Sequence, residues 1–515
     1  MAQAYLERDE LEKAERIVQD GLHYDPDYPW YWAALGEIQD RKGQREAARK
    51  SYRQALGLAP RWTEIANNLA VLEWRAGHSD EALAILRRSL ARQPDAAVTW
   101  MNLAQLLAKS GRGGDALEAW DRALALDPDW AEAHYGKGLL LRSTGEYSGA
   151  IESFHRAARL KPDWNLPHHN IGEAHLRLSQ SGEAIESYRR AIRISPGFHP
   201  SHANLGVALL QEGQFEEGWK EFEWRFGAGG RVPRRPGTTA PVWDGRPMDG
   251  ETLMVWMEQS LGDMIQFARF LSLAAGLGAR ILLQTPAPLA RLLAGVAGVV
   301  EVVCGSDPAC HYDLQIPLMS LPGVLGVGMK HLPGSIPYVR GDEAGEFAPD
   351  GDSFRVGIVW AGSQGNPAHL ERDCGVDLFS RLAMLPGVCV YSLQFGERSG
   401  DLRGDVATLI RRAAGDLGDF ARTAALAARM DLIVTVDTAM AHLAGALGKA
   451  VWTLLPEPAD WRWMRERCDS PWYPTMRLFR QARRGDWGEV IERVALALAE
   501  EVRQRHQRAA AQTAG

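Results

Sequence analysis

Small and bulky apolar positions recur with a fixed period along the first two hundred residues. Ala14, Ala48, Ala82, Ala116, Ala150 and Ala184 stand 34 residues apart. Four places after each comes a bulky residue: Val18, Tyr52, Leu86, Trp120, Phe154 and Tyr188. Residues four apart share one face of a helix, so each pair predicts a helix with a packed seam. Pro26, Pro60, Pro94, Pro128, Pro162 and Pro196 keep the same register and stop that helix, because proline cannot continue it. Leu35, Leu69, Leu103, Ile171 and Leu205 mark a second helix, each preceding a small residue at Gly36, Ala70, Ala104, Gly172 or Gly206. The small residues let the two helices approach. One such pair cannot bury its apolar face alone, so the pattern predicts a stack of pairs with a concave groove, a superhelix.

The repeats are expected over residues 1–226, about six and a half of them. Met1 falls inside a first helix, which predicts further repeats upstream in the natural protein. The last unit lacks the closing proline and has Gly218 where alanine is expected. Its Trp219, Phe222, Trp224 and Phe226 predict an aromatic face packed on the next domain, since a terminal repeat meets a different neighbour. A 34-residue unit of this kind resembles the tetratricopeptide repeat.

Beyond residue 226 the period changes. Residues 227–250 are rich in glycine, proline and arginine and read as a linker. Short apolar runs then alternate with helical stretches. Strands are expected at 253–257, 280–284 and 299–303, and after a polar linker at 342–352 again at 355–360, 388–393, 432–436 and 451–455. Helices are expected at 289–293, 417–429, 439–447 and 487–504, before a disordered tail at 506–515. Strands alternating with helices predict parallel sheets covered on both faces. The fold class is therefore an all-α repeat array followed by an α/β module of two Rossmann-like lobes, at 251–341 and 352–505.

Composition narrows the picture only slightly. The 515 residues are 46% hydrophobic and 24% charged, with a net charge of −7, which argues against a nucleic-acid partner. Cys304, Cys310, Cys374, Cys389 and Cys468 contain no CxxC pair, as expected of reduced, mostly buried thiols in a cytoplasmic protein. No apolar run reaches the ~18 residues that span a bilayer.

Two α/β lobes in tandem make a cleft at the carboxyl ends of their strands, where ligands bind such sheets. Asp437-Thr438-Ala439-Met440-Ala441-His442 follows the 432–436 strand and opens a helix. Free amides and the positive dipole end suit a diphosphate there, capped by Asp437 or Thr438; an ordinary strand–helix corner with His442 in the core reads equally well. Trp360-Ala361-Gly362-Ser363 is a small-residue turn that lets backbone approach phosphate, with Arg372 downstream for charge, or else a plain turn with a solvated arginine. Asp263, in Glu258-Gln259-Ser260-Leu261-Gly262-Asp263, is a candidate general base or an N-cap.

Together these motifs resemble the bacterial glycosyltransferases related to lipopolysaccharide heptosyltransferases, of the inverting GT-B type. The likeness lies in Gly262-Asp263, the Asp437–Gly448 run and the two-lobed order. It is closer still to bacterial proteins in which tetratricopeptide repeats precede this module, with Trp360-Ala361-Gly362, Tyr391-Ser392-Leu393-Gln394, Trp461-Arg462-Trp463 and Ser470-Pro471-Trp472-Tyr473-Pro474 as their hallmarks. The arrangement is also similar to O-GlcNAc transferase. The resemblance implies that Asp437, Thr438, Ala439, Met440 and His442, with Gly362, Ser363, Arg372 and Gln394, hold a nucleotide sugar, and that Asp263 deprotonates the acceptor. It implies no cofactor and no obligatory metal. Relatives carry an Arg-Ser pair after the Trp-Ala-Gly turn, whereas Arg372-Asp373-Cys374-Gly375 here lacks a second arginine.

Asn68, Asn102, Asn170 and Asn204 share one register position in the repeats, broken at Ala34 and Gly136. An amide donates to and accepts from peptide backbone, and the pattern resembles the asparagine ladder that grips polypeptide in O-GlcNAc transferase. Asparagines that tie adjacent repeats together fit the same spacing. The expected partners are a nucleotide sugar and a polypeptide in the groove, with a homodimer allowed. The competing reading is a non-catalytic scaffold with a degenerate glycosyltransferase module.

Overall fold

The computed structural model describes residues 1–227, 238–305, 311–332, 336–342, 353–362, 369–413 and 417–513. Helix pairs fill the first part. The first helix of each pair spans Pro29–Arg41, Thr63–Arg75, Ala97–Lys109, Ala131–Ser143, Asn165–Arg177 and His199–Gln211. The second helices include Leu11–Tyr24, Arg45–Leu58, Ser79–Arg92, Gly113–Leu126, Tyr147–Leu160 and Ser181–Ile194, and each ends two residues before a register proline. All six register alanines have no exposed surface, and the bulky partners are buried with them. Gly36 and Gly138, each 16 positions before a bulky residue, sit directly against it. A Cβ on Gly36 would lie 2.7 Å from the Tyr52 ring, and one on Gly138 2.6 Å from Phe154. The turns carry a signal that hydrophobic periodicity misses. Gly43, Gly77, Gly111, Gly145 and Gly213 have positive φ, and Asp9 and Ser179 take the same conformation in that register.

By internal packing the chain divides into residues 1–175 with 193–195, and residues 176–192 with 196–515. Within the second unit the last repeat is cut short. Its second helix is only Phe215–Phe222, followed by a 3-10 turn at Glu223–Phe226. Phe215 stacks on Trp472 at 5.4 Å. Trp219 meets Phe267 and Trp461 edge-on, and its Nε1 donates to Val327 O at 3.0 Å. One apolar core runs from this repeat through the first sheet to Leu443 and Trp463.

Ten strands form two parallel sheets among the described residues. The first contains β1 (Thr252–Trp256), β2 (Arg280–Thr285), β3 (Val299–Cys304) and β4 (Leu314–Pro317), in the order β3-β2-β1-β4. The second contains β5 (Phe354–Val359), β6 (Val388–Ser392), β7 (Ile410–Arg412), β8 (Leu432–Val436), β9 (Val451–Leu455) and β10 (Met476–Arg480), in the order β10-β9-β8-β5-β6-β7. Every pairing is parallel. In each sheet the order reverses beside the first strand, between β1 and β4 and between β5 and β8. Chain leaving such a reversal point opens a crevice at the carboxyl ends of the strands.

Several expectations change. The apolar pattern predicts no strand at β4, β7 or β10, because Gln315 and Pro317, Arg411 and Arg412, and Arg477 and Arg480 break up their apolar runs. Part of the 227–250 linker belongs to the first lobe. Val242 bridges to Gln315, and the neighbouring Trp243 is buried. The rest of that linker, at 228–237, and 343–352 of the second lie outside the described residues. The final helix is Trp487–Thr513 and takes in most of the expected tail, in keeping with the helix propensity of its alanines and glutamines. Cys304 and Cys468 are exposed and Cys374 is buried, all as free thiols; Cys310 lies outside the described residues.

Candidate functional site

The chain leaving β1 enters the helix Leu261–Phe267. Ser260 caps it by accepting from Asp263 N at 3.3 Å, and Asp263 Oδ2 accepts in return from Ser260 N at 2.9 Å and Oγ at 2.8 Å. This is a capping box, with Asp263 in the third helical position rather than at the cap. Gly262 lets a second helix come close. A Cβ there would lie 3.0 Å from His442 Cδ2 and 3.5 Å from Ala439 Cα.

That second helix, Ala439–Ala446, follows β8. Its cap is Thr438, which accepts from Met440 N at 3.3 Å. Asp437, the residue before, is buried, and its Oδ2 lies 3.5 Å from Arg372 Nη1. Burial raises the Asp437 carboxyl above its usual range, against the opposing pull of Arg372. His442 shares a 3.0 Å hydrogen bond with Tyr473 Oη through Nδ1 and stacks on Trp463 at 5.2 Å. Burial, with Arg462 beside it, pushes its pKa down to about 3, so the ring is neutral near pH 7.

The turn after β5 is held by Gln394. Its Oε1 accepts from Trp360 N and Ala361 N, both at 3.1 Å, and its Nε2 donates to Ala361 O and Phe395 O. These bonds fill the amide's hydrogen-bonding capacity. Gln394 therefore shapes the turn, and the direct ligand contact expected of it has no free group to make it. Gly362 N likewise donates to Asp373 Oδ1 at 3.0 Å. Ser363 lies outside the described residues.

These loops line one cavity of about 850 Å³. Asp263, Gly362, Arg372, Gln394, Asp437, Thr438, Ala439, Met440 and His442 all reach it. Sequence reasoning gives no role to Asp460 and Arg462, which line it too. They follow β9, again at the carboxyl end of a parallel strand, and that position is the available signal. Arg462 donates from Nη1 to Asp460 Oδ1 at 2.8 Å, from Nε to Gln266 Oε1 at 2.8 Å, and from Nη2 to Asp263 Oδ1. Asp460 Oδ2 is 3.5 Å from Arg372 Nη2. Burial opposes ionisation of Asp460, but Arg462 and Arg372 together hold it below the usual carboxylate range. Arg372 is raised, chiefly by Asp437. The result is a chain of alternating charge: Asp437, Arg372, Asp460, Arg462, Asp263. Arg372, paired only at 3.5 Å, is the loosely held arginine of this chain, and Asp263 at its end lines the same cavity.

Residues 31–61, 64–106, 101–163 and 167–198 match tetratricopeptide repeat families. Residues 411–463 match glycosyltransferase family 9 (heptosyltransferase). The chain joins tetratricopeptide repeats to a family 9 segment. That segment contains Asp437–His442, Asp460 and Arg462; Asp263 and Arg372 lie outside it. The chain is 26% identical over 316 residues to protein FlbA of Caulobacter vibrioides, covering 56% of this chain and 52% of that protein. It thus spans about half the length of the curated relative it matches. Among solved structures, MamA is similar over 33% of this chain and 92% of its own, at 23% identity and a TM-score of 0.31. Pseudomonas aeruginosa pilF is similar over 39% and 91%, at 19% identity and a TM-score of 0.35.

The four ladder asparagines do not share one environment. Asn170 is buried, and its Nδ2 donates to Tyr135 Oη at 3.1 Å and Leu166 O at 2.9 Å. Asn68 is exposed, and Asn102 and Asn204 are half-buried. At Asn170 the amide ties one repeat to the next, so its donor is taken up. Among the described residues, no helix is long and apolar enough to cross a membrane, and no three His, Cys, Asp or Glu side chains cluster as metal ligands.

Proposed function

We propose that the chain is a glycosyltransferase of the GT-B type that moves a sugar from a nucleotide-diphosphate sugar to an acceptor, with a polypeptide bound in the repeats as the acceptor, and with inversion. The reading is carried by one observation: the loops leaving the order-reversal strands of both sheets open into the same cavity, one bringing a carboxylate and the other a helix N-terminus with an arginine beside it.

In this reading the donor diphosphate lies at the start of the Ala439–Ala446 helix, where free amides and Arg372 meet its charge. The acceptor O–H or N–H gives its proton to Asp263. The freed electron pair forms the new bond to the anomeric carbon from the face opposite the leaving group. The bond from that carbon to the diphosphate oxygen breaks, and its electron pair leaves with the diphosphate. Stabilising the departing charge with preset donors is the largest effect available to such a site. Arg372 suits this task because both of its ion pairs are long, at 3.5 Å, and it is partly exposed. The neutral His442 packs the helix start without adding charge.

The test is titration of the full chain with uridine, guanosine, adenosine and cytidine diphosphates, followed by a screen of the matching sugars against cell proteins by intact mass. Binding of one diphosphate is expected, weakened by Asp437→Asn. Turnover should fall roughly 10²–10⁴-fold in Asp263→Asn, the range general-base catalysis supplies. No binding, or full turnover in Asp263→Asn, rejects the reading. A scaffold role rests on the lack of a second arginine in Arg372-Asp373-Cys374-Gly375, where Asp373 instead accepts from the Gly362 amide; under that reading the module binds no donor.

A further inference from the structure

We infer that Arg462 is a positioning residue: it reaches from the second sheet to aim Asp263 of the first, and it is not a ligand of the diphosphate. The inference rests on the glycosyltransferase reading above and adds to it a residue with a distinct task.

The two arginines of the charged chain differ in kind. Arg372 touches its partners only at 3.5 Å and keeps about a third of its side chain exposed. Arg462 is buried, and its Nε, Nη1 and Nη2 each donate to a different side chain. Two of those acceptors, Gln266 and Asp263, sit on the helix after β1. The third, Asp460, sits on its own loop. A guanidinium held on three sides cannot turn toward an incoming phosphate without abandoning a buried carboxylate, whereas a loosely paired one can.

The loop that carries Arg462 is fixed as firmly. Its guanidinium lies 4.5 Å over the Trp461 ring, and its carbonyl accepts from Trp472 Nε1 at 2.7 Å. Trp461 in turn meets Trp219 and Phe222 of the last helical repeat. Asp263 is thus held through Oδ2 by Ser260 and through Oδ1 by Arg462, while it lines the cavity. A reacting carboxylate works only when it is held close to one geometry, and neighbours such as these supply that constraint.

The experiment compares Arg462→Gln, Arg462→Lys and Gln266→Met in the full chain, each first shown to unfold cooperatively. Gln266→Met removes the Nε anchor with little disturbance, because Gln266 Nε2 has no hydrogen-bond partner among the described residues. It keeps the question answerable if Arg462→Gln does not fold. Diphosphate affinity is read by titration and donor turnover at saturation. Arg462→Gln is expected to lower turnover at least ~10-fold while affinity changes less than ~3-fold, with partial recovery in Arg462→Lys and a smaller fall in Gln266→Met. Adding Arg462→Gln to Asp263→Asn should cost little more, since the two act as one unit. A ~10-fold loss of affinity with turnover kept would make Arg462 a phosphate ligand, and multiplying losses would make it independent of Asp263. Either result overturns the inference while leaving the glycosyltransferase reading intact. A wild type that binds no diphosphate removes both.

Discussion

Single glycines set the closest approaches in this protein, and their substitutions separate two opposite effects. A Cβ on Gly206 would lie 2.5 Å from the backbone nitrogen of Phe222. Backbone cannot rotate away as a side chain can, so Gly206→Ala is expected to destabilise by about 1–3 kcal/mol, the usual cost of overpacking. Gly57, exposed near the end of its helix, has no described atom within 4 Å of the added carbon. Gly57→Ala should instead stabilise by up to ~1 kcal/mol through helix propensity. Denaturant unfolding of both variants checks the contrast. His442 makes a second prediction at this scale. Its folded pKa is lowered from the ordinary 6.5 to about 3, chiefly by burial. The unfolded chain therefore binds a proton that the folded chain refuses. Its contribution is present above pH ~6.5 and is lost as pH falls toward 3, with a slope of up to about 1.4 kcal/mol per pH unit. The groups around it, Arg462, Arg269, Asp263 and Asp460, are common to the wild type and His442→Asn. Stability measured from pH 7 to 4 should fall less steeply in His442→Asn; equal slopes would contradict the burial of a neutral ring.

At the scale of elements, the decisive feature is that the charged side chains lining the cavity follow the carboxyl ends of parallel strands. β1 delivers Asp263, β8 delivers Asp437 and Thr438, and β9 delivers Asp460 and Arg462. The helix after β8 depends on Thr438, whose hydroxyl accepts from Met440 N. Thr438→Ala should cost about 1 kcal/mol by loss of the cap, and under the glycosyltransferase reading it should also weaken diphosphate binding, because the cap orients the amides that face the ligand. Thermal unfolding and the diphosphate titration, run side by side on this variant, separate the two effects. A stability loss with unchanged affinity would place the anion away from this helix.

At the scale of the whole molecule, the last helical repeat is continuous with the α/β core. Phe215, Trp219 and Phe222 are buried among Phe267, Trp461 and Trp472. Burying each such side chain contributes about 1.5–3 kcal/mol, so losing three removes an amount comparable with the net stability of a domain. A fragment spanning 176–515 is therefore expected to unfold cooperatively. One spanning 227–515 should lack a sharp transition and expose apolar surface, which dye binding and scanning calorimetry will detect. The boundary that composition suggests, after residue 226, is thus not a boundary in packing.

The order of residues alone reveals whatever is written locally and repeated. The alanine, bulky and proline register locates the repeat helices, because a helix seam needs its residues only a few places apart. β1, β2, β5, β6, β8 and β9 are legible for a similar reason, since a strand covered on both faces is a nearly continuous apolar run. β3, though none of its residues is buried, is legible from its β-branched valines. The two corners around Asp263 and Asp437 are legible as candidates, each with a plainer reading beside it. Three-dimensional packing chose among those readings of geometry. It made Asp263 a capping-box partner ion-paired to Arg462 and turned Gln394 inward onto its own turn. It tied Asn170 to Tyr135 and brought Asp460 and Arg462 to a cavity nearly two hundred residues away in sequence from Asp263. Those facts depend on contacts between distant segments, and such contacts leave no period along a single chain.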